Sequence, residues 1–118
     1  MEFVAFIGED EKNWGQVSAL INRVDAEKIF LVVAKGVNGF PKNLKCEVIN
    51  VDTGKNLIDL KQEIVEKLKG KLKGEFEVSV SIASGNGKEH MALISALLSV
   101  PVGIRLVVFT KKGIEFVN

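Results

Sequence analysis

Ser84-Gly85-Asn86-Gly87-Lys88-Glu89-His90 lies between a segment of period two and an apolar one, and its reading decides the fold. Upstream, Phe76, Val78, Val80 and Ile82 alternate with Glu77, Ser79 and Ser81, so residues 75–83 are predicted as a strand. Downstream, residues 91–98, from Met91 to Leu98, are polar only at Ser95 and are predicted as a helix. A strand that passes through a glycine-rich turn into a helix is the building unit of a parallel sheet.

The same seven residues suit an anion. Glycine lets the chain turn sharply and lets a ligand approach the main chain. The first amides of a helix have no partner inside it, and the helix dipole adds partial positive charge to that of Lys88. A second reading needs no ligand: Asn86 followed three residues later by Glu89 is the pattern of a capping box, and Gly85 and Gly87 then serve the turn alone. Two stricter motifs are excluded. A P-loop needs four residues between its first glycine and the Gly-Lys pair, then Ser or Thr, and the dinucleotide fingerprint needs a glycine three places after Gly87.

Working outward, residues 2–7 form an apolar run that ends at Gly8 and are predicted as a buried strand. Glu9, Asp10 and Glu11 follow at the mouth of a helix that carries Trp14, Val17, Leu20, Ile21 and Val24 on one face and closes at Asp25-Ala26-Glu27. Residues 29–34 read as a strand covered on both faces. Residues 35–43, with Gly36, Gly39 and Pro41, read as an irregular connection with room for one helical turn. Residues 45–51 are the next strand, and Leu57, Leu60, Ile64, Val65 and Leu68 mark the second helix, bracketed at its exit by Gly70 and Gly74. Residues 105–110 and 114–117, joined by Lys111-Lys112-Gly113, are a hairpin.

The sum is one α/β domain over residues 1–118. It is a three-layer, Rossmann-like open sheet of about six mainly parallel strands, with a C-terminal β-hairpin supplying an antiparallel edge strand. Ligands of such sheets bind beyond the carboxyl ends of the strands. The loops that begin at Gly8, Lys35 and Ser84 are therefore expected to line one groove. The helix over residues 91–98 has almost no polar face, and a helix apolar all round needs cover on more than one side. The expectation is a homodimer with this helix at the interface; burial under residues 35–43 is the alternative.

The formal net charge of +1 supplies no broad cationic field for duplex nucleic acid. The longest mostly apolar run, residues 91–104, is broken by Pro101 and is shorter than the ~20 residues that span a bilayer. Met1-Glu2-Phe3-Val4 lacks the positive region of a signal peptide. The expected location is cytoplasmic, with no membrane partner. Plentiful lysine and glutamate with scarce glutamine lean toward a thermophilic source. Cys46, the single cysteine, reads as a small core residue. With one histidine and no Cys/His cluster, no metal site and no cofactor are expected.

Strand, Ser-Gly-Asn-Gly-Lys turn, apolar helix, strand and terminal hairpin resemble the CRISPR-associated Rossmann-fold (CARF) family, whose members often carry a small/hydroxyl-Gly-Gly-Thr/Asn-Lys turn here. The resemblance covers the whole topology and rests on that short motif. It implies a homodimer that binds a cyclic oligoadenylate across its two-fold axis, an antiviral defence role, and in some members ring cleavage by the ribose 2′-hydroxyl without a metal. The motif carries Gly85, Asn86, Gly87 and Lys88 onto this chain, with Ser84 before them. Gly8, Glu9 and Asp10, and Asn13 in the same loop, belong to the other ligand-facing segment. Here that loop is acidic, and Asn86 splits the glycine pair. No effector segment is expected beyond Asn118, so the resemblance implies a chain acting alone or with a partner. For cleavage, Lys88 would stabilise developing charge and His90 move a proton; His90 also reads as an ordinary surface residue of a first helical turn. Glu9 and Asp10 read as a base or as helix-start charge, and Trp14 as an adenine stack or as core. Two further readings stand beside this one: a structural or interaction domain without ligand, and a small flavodoxin-like mononucleotide-binding protein.

Overall fold

A computed structural model describes residues 1–73, 76–100 and 102–118. Gly74, Glu75 and Pro101, used above as a helix exit, a strand start and a breaker, lie outside the described residues.

The elements are β1 (Glu2–Ile7), a 3-10 turn (Glu11–Asn13), α1 (Trp14–Ile21), β2 (Lys28–Ala34), β3 (Cys46–Val51), α2 (Leu57–Leu68), β4 (Glu77–Ser81), α3 (Gly87–Ser99), β5 (Gly103–Thr110) and β6 (Gly113–Phe116). They form one six-stranded sheet in the order β3-β2-β1-β4-β5-β6. The first five strands are parallel, and β6 pairs antiparallel to β5 at the edge. This is the doubly wound Rossmann order and differs from the 2-1-3-4-5 order of flavodoxin-like sheets.

β1 is buried along its whole length because it is central and covered on both faces. Phe3, Ala5 and Ile7 share one face with Ile29, Leu31 and Val33 of β2 and pack against Val17, Leu20 and Ile21 of α1. Val4 and Phe6 share the other with Phe30 and Val32, under Leu60, Ile64 and Leu68 of α2 and Ala92, Leu93, Ala96 and Leu97 of α3. Ser79 and Ser81 of β4 are buried and stand beside Phe3 and Ala5.

Boundaries differ from expectation where polar residues join a helix or leave it. α3 begins at Gly87, one turn before Met91, because Asn86 and Glu89 close the capping box around a polar first turn. α1 ends at Ile21, short of Asp25; the Asn22 side chain donates to the carbonyl of Ser18, while Val24 stays in the core as part of a turn. Residues 35–43 form no helical turn, since Gly36 and Gly39 both adopt left-handed φ, at 88° and 85°. Cys46 is half-buried at the start of β3, where it packs against the edge of the core with its thiol donating to Asn43 Oδ1.

Candidate functional site

In a doubly wound sheet the chain leaves β1 toward one edge and β4 toward the other, which opens a crevice between their carboxyl ends. The loops after β1 and β4 meet there at backbone contact. A Cβ on Gly8 would lie 2.9 Å from Gly85 Cα and 3.0 Å from Asp10 Oδ1, so Gly8 is required by close approach. Gly85 is required twice over: its φ is 105°, and a Cβ would lie 2.9 Å from Phe6 Cδ1 and 3.1 Å from His90 Nε2.

Asp10 joins the two loops. Its Oδ1 accepts from the buried Ser84 hydroxyl at 2.6 Å and from the Gly85 amide at 3.0 Å, and its Oδ2 accepts from Asn13 Nδ2 at 2.6 Å. The Ser84 oxygen in turn accepts from the Gly8 amide at 2.9 Å. Burial works against the charged Asp10 carboxyl, but the hydrogen bonds from Asn13, Ser84 and Gly85 outweigh it and hold its pKa below the usual carboxylate value. Asp10 thus spends its charge inside the fold.

Four of the remaining predicted residues are also engaged. The Asn86 side chain accepts from the Glu89 amide, and the Glu89 carboxylate accepts from the Asn86 amide, each at 2.9 Å. His90 Nε2 lies 2.8 Å from the Ser84 carbonyl, which can only accept, so this nitrogen carries the proton and the ring steadies the turn. The indole of Trp14 donates to the Gly8 carbonyl at 3.0 Å and meets Phe40 edge-on, between core and surface. Lys88 turns sideways: its ammonium donates to the carbonyls of Thr53 and Lys55, both at 2.8 Å.

Among the described residues, the amides of Gly87 and Lys88 have no hydrogen-bond partner. Both residues are exposed, at the start of a 13-residue helix. The adjoining hollow, about 270 Å³, is lined by Glu9, Asp10, Thr53, Gly85, Asn86 and Glu89. A second hollow of about 210 Å³ shares Glu9 and adds Glu11, Trp14, Gly36, Val37 and Asn38. The three expected loops therefore meet in two adjacent hollows joined at Glu9.

A fourth segment, the turn between β3 and α2, also enters the crevice through Thr53. Its sequence, Asp52-Thr53-Gly54, signals a turn and nothing about a site. Glu63 of α2 fastens this turn, accepting from the Asp52 amide at 3.1 Å and pairing with Lys55 at 3.0 Å and Lys67 at 2.9 Å. Burial alone would raise the Glu63 pKa, but hydrogen bonds from Lys67, the Asp52 amide and Lys55 bring it down to about 2. A folded pKa below the unfolded 4.5 stabilises fully above pH 4.5, and that contribution is lost as pH falls toward 2. Because Lys55 and Lys67 are largely in solvent, Glu63→Gln is expected to cost only about 1–2 kcal/mol at pH 7. Urea melts at pH 7 and pH 3 check this: the gap between wild type and variant should narrow at the lower pH.

The described residues hold no group of three or more His, Cys, Asp or Glu placed to bind a metal ion, and no helix long and apolar enough to cross a membrane. No protein family and no curated protein matches the chain in sequence.

Proposed function

We propose that this chain is a CARF-like domain that binds a cyclic oligoadenylate as a homodimer, one crevice from each copy facing the ring. The observation that carries this is the pair of unengaged amides, Gly87 and Lys88, at the start of α3, next in sequence to Gly85 and Asn86 of the hollow's wall. They suit a phosphodiester oxygen. Glu9, between the two hollows, suits the opposite end of a nucleotide, since a carboxylate accepts from ribose hydroxyls and from an exocyclic amine. Trp14 offers the neighbouring hollow an aromatic wall.

The dimer reading rests on α3. Its inner face buries Ala92, Leu93, Ala96 and Leu97, while Met91 and Leu98 are 57% and 63% exposed on the outer face, with Ile94 half-buried between them. Met91, Ile94 and Leu98 follow helical spacing and make a stripe for a second copy. Met91→Glu combined with Leu98→Glu is expected to convert a dimer to a monomer in light scattering without unfolding it. A monomeric wild type would contradict the dimer.

Ring opening by a 2′-hydroxyl extends this reading. It requires Lys88 to leave the Thr53 and Lys55 carbonyls and His90 to act through Nδ1, because its Nε2 is held by Ser84. Chromatography of incubated ring tests it, with a linear product as the expected result.

The ligand-free reading has its own support: Asp10 and Glu89 already occupy the Gly85 and Asn86 amides, as a helix cap would require. Thermal unfolding with cyclic tetra- and hexa-adenylate, and with AMP, separates the readings by mass action. A rise with a ring supports the proposal. A rise with AMP alone favours a mononucleotide-binding protein, and no rise with either favours the structural domain.

A further inference from the structure

Lys88 is the one full positive charge in the glycine-rich turn, yet it does not face the hollow. Two of its three ammonium hydrogens are held by the carbonyls of Thr53 and Lys55, 35 and 33 residues away in sequence. Thr53 forms a wall of the same hollow that Gly85 and Asn86 line. The turn is anchored on its far side by Glu63, through the Asp52 amide and Lys55. It is therefore held by Glu63, by Asn56 where it caps α2 and accepts from the Asp59 amide at 2.9 Å, and by the single flexible side chain of Lys88.

We propose that Lys88 is a latch: it holds the turn at residues 53–55 against the crevice, and a docking oxyanion draws it away and frees the turn. This rests on the oxyanion site proposed above. An anion on the Gly87 and Lys88 amides lies at the base of the Lys88 side chain, and a full negative charge attracts an ammonium more strongly than neutral carbonyls do. The released carbonyls belong to half-buried Thr53 and exposed Lys55, both at the surface turn, and are rehydrated at little cost. The anchor at Glu63 needs no change, so movement is confined to the turn. Ligand occupancy at α3 is thereby reported at the start of α2, where Ile58 stands exposed. Lys88 is on this account a positioning residue for the turn.

Limited digestion by a lysine-specific endoproteinase reads the latch at the Lys55–Asn56 bond, whose carbonyl Lys88 holds. Without ligand, Lys88→Met should be cut there at least fivefold faster than wild type, with cleavage after the exposed Lys45 unchanged as an internal control. Lys88→Arg should restore slow cutting. Equal rates for wild type and Lys88→Met would overturn the latch. With cyclic tetra-adenylate, the wild-type rate should rise toward that of Lys88→Met; an unchanged or slower rate overturns release by the anion. The melting temperature measured alongside separates the two claims. A rise without faster cutting leaves the binding site standing and removes the switch, whereas neither change removes both.

Discussion

Gly85→Ala should lower stability by about 3 kcal/mol, a fall in melting temperature of roughly 10 °C. Two causes act together. An alanine at φ 105° is strained wherever it sits. The new methyl also has no space, with Phe6 Cδ1 at 2.9 Å, Glu89 Oε1 at 3.1 Å and His90 Nε2 at 3.1 Å. Phe6 is fully buried beneath α3 and cannot withdraw without opening the core. Gly15→Ala is the matched control, because nothing lies within 4 Å of a Cβ there and α1 gains a better helix former. It should raise stability by about 0.5–1 kcal/mol. Equal effects at the two positions would show that the switch-point turn is not strained or crowded as described.

Asp10→Ala is expected to move stability and anion binding in opposite directions. The carboxylate accepts from Ser84, Gly85 and Asn13, and truncation leaves the buried Ser84 hydroxyl and the Gly85 amide without their acceptor. Losing a charged acceptor for buried donors costs about 2–3 kcal/mol. The same change removes a negative charge from the wall of the hollow and frees the Gly85 amide, a third donor for an oxyanion beside Gly87 and Lys88. At the distances inside such a hollow, relief of one like charge is worth about 1–2 kcal/mol, or roughly tenfold in affinity. Chemical denaturation and calorimetric titration of cyclic tetra-adenylate measure the two effects. Weaker binding in a folded variant would mean that Asp10 serves the ligand directly and that its charge is no obstacle.

The fold was legible because its signals are local. Alternation marks residues 77–81, aliphatic runs mark the strands buried on both faces, and Leu57, Leu60, Ile64 and Leu68 mark one helix stripe. The cap of α3 was legible for the same reason, since Asn86 and Glu89 are three residues apart and their pairing needs only a helix start. The site was legible as a place and not as a set of partners. Asp10 meets Ser84 across 74 residues and Lys88 meets Thr53 across 35, and nothing in residue spacing signals either contact. Both follow from strand order, which brings the ends of β1 and β4 together and sets the β3–α2 turn beside them. An acidic loop next to a glycine-rich turn suggested repulsion of phosphate. Instead Asp10 is held as a carboxylate by three neutral donors of the fold, so its charge stays in the wall of the hollow beside that of Glu9.

Amide-resolved NMR of 15N-labelled protein during titration with cyclic tetra-adenylate tests the central claim most directly, because each backbone N–H reports separately. Oxyanion binding at the start of α3 predicts the largest shifts at the Gly87 and Lys88 amides, with the capped Asn86 and Glu89 amides moving less. Shifts confined to other parts of the chain, or none at saturating ring, would contradict it.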